Sequence, residues 1–146
     1  MTTTLPVIAL VQSASVDADF IEASLRSAGM RNSFLRFDSA DALIAMLSED
    51  MLSEEQPGGA LQIAVAIVES SAWKRLSSWR DTCLANPLPV IVTFEHDREL
   101  REFAQARVDH AAGALKPFTP KTLIRMLEPL RCRWLLMDRD GMEEGA

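Results

Sequence analysis

Apolar positions along the chain fall into short continuous runs separated by stretches with helical spacing. The run Leu5 to Val11 is rich in Val, Ile and Leu, which suits a strand buried on both faces. After the polar turn Gln12-Ser13-Ala14-Ser15, the residues Ala18, Ile21, Leu25 and Ala28 recur at helical spacing. They predict a helix from about Asp17 to Ala28, with Gly29 in the C-terminal stop position. Ser33 to Phe37 reads as a short, partly polar edge strand, and a helix starting near Ser39 places Ala40, Leu43, Ile44 and Leu47 on one face. The acidic stretch Ser48 to Ala60, closed by Pro-Gly-Gly, reads as a loop. Leu61 to Val68 is a third strand, followed by a helix over about Ser71 to Leu84 that buries some of Trp73, Leu76, Trp79 and Cys83.

Asn86-Pro87-Leu88-Pro89 introduces a fourth strand, Val90 to Phe94, and Asp97 is the expected cap of a helix with Leu100, Phe103, Ala104, Val108 and Ala111 as its stripe. Ala112 to Leu115 is a fifth strand built of small residues. Thr119-Pro120 is a cap followed by proline at the first helical position, and Leu123, Ile124 and Leu127 of that last helix face inward. Five strands alternating with five helices define an α/β protein. The expected architecture is a doubly wound five-stranded parallel sheet in the flavodoxin-like order 2-1-3-4-5, with helices on both faces.

At 48% apolar and 25% charged residues over 146 positions, the chain carries enough apolar surface for one buried core, which excludes an intrinsically disordered chain. Its formal charge of −6 opposes general nucleic-acid binding, which needs a basic surface. The start MTTTLPVIALVQ lacks the charged segment and long apolar stretch of a signal peptide, and no apolar run approaches a membrane span of about 20 residues. Cys83 and Cys132 match neither a disulfide framework nor a metal-ligand spacing, and His96 and His110 have no ligand-like partner. These features predict a cytoplasmic protein without a metal centre.

In doubly wound sheets, sites form at the carboxyl ends of the strands beside the switch in strand order. That edge collects Gln12 and Ser13 after the first strand, Glu69 and Ser70 after the third, Thr93 and Phe94 at the end of the fourth, and Lys116 after the fifth. Glu69 is the one carboxylate placed directly at a central strand end, with Lys116 converging on it. The polar turn after the first strand is not a glycine-rich phosphate loop. No nucleophile and base pair stands out, so an enzyme is not expected.

The strand IALV with its polar turn, the run QIAVAIVE ending in an acid, PLPVIVTF and ALKPF occur in the order found in response-regulator receiver domains, which the span from Pro6 to Leu127 resembles. In that family an acidic pair after the first strand holds Mg²⁺ beside a phosphate-accepting Asp after the third, and a Ser or Thr and a Lys-Pro lysine contact the phosphoryl group. By position, the acidic pair falls on Gln12 and Ser13, neither of them acidic, and the acceptor falls on Glu69. The hydroxyl position falls on Thr93 or, by strict count from Pro89, on Phe94. The lysine is Lys116, Pro117 stands where the family has a cis-proline, and the aromatic switch position falls on Gly113.

The resemblance therefore implies a receiver with a degenerate site. Mg²⁺ usually takes carboxylates plus waters and phosphate, and one carboxylate where three are usual predicts weak Mg²⁺ binding or none. Without a metal, Glu69 is expected to reach Lys116 as a charge-assisted pair supported by Ser13, Ser70 and Thr93. The alternatives are that Glu69 caps the third helix, or that it accepts phosphate itself from a position displaced by one methylene.

The expected role is a two-component or phosphorelay-type protein-interaction module not controlled by conventional Asp phosphorylation; the other reading is a phosphate-accepting regulator using Glu69. The partner is then a signalling protein, a histidine kinase or a downstream effector, met through the first helix or through a face carrying Arg98, Arg101, Arg107, Lys121 and Arg125. The receiver-like domain is expected over residues 1–128, with an extension over 129–146. Pro129 is expected to kink or end the fifth helix. Beyond it Leu130, Trp134 and Met137 form an apolar stripe that either docks back on the domain or joins two copies into a homodimer.

Overall fold

The computed structural model describes residues 7–52, 63–83, 88–116 and 119–130. Five strands and five helices alternate along them: β1 (Val7–Val11), α1 (Ser15–Ser27), β2 (Ser33–Phe37), α2 (Ala40–Leu52), β3 (Ile63–Glu69), α3 (Ser70–Cys83), β4 (Val90–Phe94), α4 (Asp97–Ala106), β5 (Ala111–Leu115) and α5 (Pro120–Leu130). The strands form one sheet in the order β2-β1-β3-β4-β5, and all four pairings are parallel. The expected α/β architecture is therefore the observed one.

Every residue of β1 and β4 is buried, as are the first six of β3, because helices cover both faces of the sheet. Alternate side chains feed two cores. Ala9, Val11, Val68, Val92 and Phe94 pack with Leu43 of α2 and Leu76 of α3. Ile8, Leu10, Ile67 and Ile91 pack on the other face with Ile21 and Leu25 of α1 and Leu123, Leu127 and Leu130 of α5. β2 is a half-exposed edge strand.

Several boundaries differ from the sequence reading, each for a local reason. α2 continues through Ser48 to Leu52, so the acidic stretch begins as helix and not as loop. Glu69 is the last residue of β3 itself, in register with Thr93. Asp97 is not a cap: it is the first residue of α4, where its charge suits the helix dipole, and the cap position is His96 with no side-chain hydrogen bond. Thr119 does cap α5, its Oγ1 accepting from the Thr122 N–H at 3.2 Å. Gly29 adopts φ 102°, the left-handed stop expected of it.

Ala104 is exposed, so α4 touches the sheet through Leu100 and Phe103, both half-buried. α5 runs past Pro129 to Leu130, which is 3% exposed and sits in the core beside α1. Pro117, Cys132, Trp134 and Met137 lie outside the described residues, so the cis-proline and tail expectations are carried no further by the fold.

One buried cation escaped the sequence reading. Arg80 of α3 is 4% exposed and donates from Nη1 to Leu88 O at 2.8 Å and from Nη2 to Asp109 O at 2.9 Å. Its guanidinium also lies 5.3 Å from the centroid of the Trp73 ring. The planar fork thus ties α3 to the entry of β4 and to the turn before β5.

Candidate functional site

The carboxyl ends of β1, β3, β4 and β5 bring together Gln12, Ser13, Glu69, Thr93 and Lys116, as the parallel topology requires. Their side chains sort into three separate arrangements.

In the first, Ser13 donates twice to one oxygen of Glu69. Its backbone N–H lies 3.2 Å and its Oγ 3.1 Å from Glu69 Oε2. The chain leaves β1 at this turn, so the amide of Ser13 is free of the sheet and points across to the end of β3. Two neutral donors thus bind the carboxylate where the family resemblance implies acids and a cation.

In the second, Gln12 turns inward. It is 5% exposed, and its Nε2 lies 3.4 Å from both Ile67 O and Thr93 Oγ1. Thr93 is 1% exposed and donates onward to Val68 O at 3.4 Å. Its hydroxyl is therefore spent inside the sheet. Phe94, the residue found by counting from Pro89, ends β4 on the opposite face and packs against Phe103. Neither presents an accessible hydroxyl beside Glu69. Gln12 Oε1 is buried without a hydrogen-bond partner, a cost that the two long bonds from Nε2 only partly offset.

In the third, Lys116 Nζ meets Asp17 Oδ2 at 2.9 Å, with Glu95 Oε1 further off at 4.0 Å. The expected Glu69–Lys116 contact is thereby corrected. Asp17, in the first turn of α1, takes the lysine, and Glu69 is held by Ser13. Asp17 was legible as an acidic residue at a helix start on the same edge, but no spacing along the chain shows that α1 brings it to Lys116. Glu69 as a cap of α3 is not what its oxygen does either, since Oε2 faces Ser13.

The donor set does not fit the Mg²⁺ that the resemblance implies. One carboxylate stands at the end of β3, its neighbours are donors or buried, and Asp17 and Glu95 flank the lysine. Among the described residues no three His, Cys, Asp or Glu side chains gather as a metal would need. The basic face expected around α4 is locally neutralised, with Arg101 at 2.7 Å from Asp97 and Arg98 at 3.5 Å from Glu102. No helix among the described residues is long and apolar enough to cross a membrane.

No protein-family model matches the sequence, and no curated protein matches it either. Solved structures do. The bacteriophytochrome response regulator AtBRR superposes with a TM-score of 0.70 at 16% identity, covering 92% of this chain and 99% of that one. A response regulator receiver protein from Burkholderia phymatum gives 0.62 at 22% identity, over 86% and 94% of the two chains. The phosphorylated cyanobacterial phytochrome response regulator RcpA gives 0.60 at 14% identity, over 90% and 94%. The chain has the fold of a response-regulator receiver domain.

Proposed function

We propose that the protein is a receiver-like signal-transduction module of the two-component type that works by binding another protein and is not switched by phosphorylation of an aspartate. The observation that carries this reading is the double donation from Ser13 to Glu69. The position equivalent to the acceptor is occupied by a longer acid whose carboxylate is already bound by its own chain. Lys116, the group that would meet an incoming phosphoryl oxygen, is engaged by Asp17 at 2.9 Å. An anion arriving at Glu69 would have to displace both contacts without a metal to offset its charge.

In this reading the role is association and not catalysis, and it is exercised in the cytoplasm. The partner is a signalling protein, a kinase upstream or an effector downstream, and not a nucleic acid. The likeness to phytochrome response regulators supports a place in such a relay through the fold alone.

The test is intact mass after incubation of the full chain with acetyl phosphate and Mg²⁺, alongside Glu69→Gln. An unchanged mass is expected in both. A phosphoryl-sized gain in the unsubstituted protein that disappears in Glu69→Gln would make Glu69 a working acceptor and overturn the reading.

A further inference from the structure

Helix α4 is the one helix of the fold with no buried residue; only Leu100 and Phe103 are half-buried, and the rest of it is exposed. The turn that follows it is unfavourable for the chain that makes it. Arg107 (φ 49°, ψ 55°) and His110 (φ 56°) both adopt left-handed backbone, where a β-carbon crowds the neighbouring carbonyl. Glycine would take these angles freely, but neither position is glycine. Within the turn, Arg107 N–H donates to Ala104 O at 3.3 Å. The turn is held chiefly from outside itself.

Its outside bonds come from β4 and from Arg80. Val90 N–H donates to His110 O at 3.0 Å. Arg80 Nη2 donates to Asp109 O at 2.9 Å, and Nη1 lies 3.5 Å from His110 O while it donates to Leu88 O at 2.8 Å. The same guanidinium sits against the Trp73 ring, two turns back along α3. That ring in turn meets Phe103 of α4 edge to face, the centroids 5.7 Å apart at 80°. Two fastenings of α4, the Phe103 contact and the turn after Ala106, therefore converge on one side chain that is 4% exposed.

We infer that Arg80 is a latch: α4 and residues 107–110 open from the sheet as one unit, and the buried guanidinium holds that unit shut. A helix with no buried residue, followed by a strained turn, belongs to the part of a structure that opens well short of global unfolding. What sets the opening is then the planar fork of Arg80 on two carbonyls of the turn, together with the ring it supports under Phe103. This goes beyond the proposed function, since it assigns a moving part to the fold.

Amide hydrogen–deuterium exchange of the full chain tests the latch, comparing the unsubstituted protein with Arg80→Lys and His110→Gly and using α1 and α5 as internal references. Arg80→Lys is expected to lower the protection of α4 and of residues 107–110 together, by about tenfold or more, because a single ammonium cannot span the acceptors of the fork. Protection of α1 and α5 should change by less than about threefold. His110→Gly removes strain and leaves the latch in place, so it should raise protection about twofold or more, in α4 as well as in the turn. Should Arg80→Lys fail to fold, the His110→Gly comparison decides the point by itself. Unchanged α4 protection in Arg80→Lys, a loss shared equally by α1 and α5, or a His110→Gly gain that is absent or confined to residues 107–110 would each overturn the inference.

Discussion

Lys116, at the end of β5, is paired with Asp17 of α1 at 2.9 Å and not with Glu69. The two side chains are 20% and 35% exposed, so the pair is partly screened by solvent. It joins a strand at one side of the sheet to a helix packed under its centre, two elements that sequence spacing places 99 residues apart.

A double-mutant cycle of Asp17→Asn and Lys116→Met should return a coupling of about 0.5–1 kcal/mol in urea unfolding, as partly exposed ion pairs do. The same cycle with Glu69→Gln in place of Asp17→Asn should return a value near zero. A larger coupling to Glu69 than to Asp17 would contradict the geometry.

Ser13→Asp should create a divalent-cation site. It replaces two neutral donors' side-chain share with a second carboxylate beside Glu69, and like charges so placed recruit a cation. Isothermal titration with Mg²⁺ should show binding at least tenfold tighter than in the unsubstituted protein. Equal titrations would mean that charge count is not what withholds the metal.

Gln12 separates shape from charge. Gln12→Met keeps the volume and removes the unpaired Oε1, so its stability should lie within about 1 kcal/mol of the parent. Gln12→Glu puts a carboxyl at a position 5% exposed, where burial raises the folded-state pKa. The folded state then holds its proton more tightly than the unfolded one, whose pKa is about 4.3. Stability of this variant should fall as pH rises above that value, relative to Gln12→Met, in thermal unfolding from pH 4 to 8 at about unit intervals. A pH-independent difference would show that the glutamate escapes to solvent.

Arg80→Met should cost about 2–4 kcal/mol, since it strands the carbonyls of Leu88 and Asp109 that the guanidinium now serves. Arg80→Lys should recover only part, because one ammonium cannot span both acceptors as a planar fork does. Chemical denaturation midpoints of the three proteins decide this.

The fold was legible because its signals are redundant along the chain. Continuous apolar runs mark β1, β3 and β4, helical stripes mark α1 and α2, and Thr119-Pro120 marks the start of α5. Errors arose where one residue carried two meanings. Asp97 suits a cap and a first helical turn equally well, and the acidic Ser48 to Leu52 segment suits a loop or a helix end. The site was legible as a set of positions and not as a set of bonds. Gln12, Ser13, Glu69, Thr93 and Lys116 do meet at one edge, but which groups pair depends on side-chain direction. Sequence spacing cannot show that Ser13 turns its amide toward Glu69, or that α1 carries Asp17 over to Lys116. Arg80 was invisible for a related reason: its acceptors are backbone carbonyls, which every residue has.

Leu130 has a consequence for reach. The helix that ends on it starts at the Glu69 edge of the sheet and runs back over about 16 Å to the other edge. Because Leu130 is sunk beside α1, the end of α5 is pinned to the body of the domain. The molecule thus has two poles. One carries the Ser13–Glu69 contact, the other the buried end of α5 at Leu130, so the carboxylate and the anchor of the last helix lie at opposite edges of the sheet.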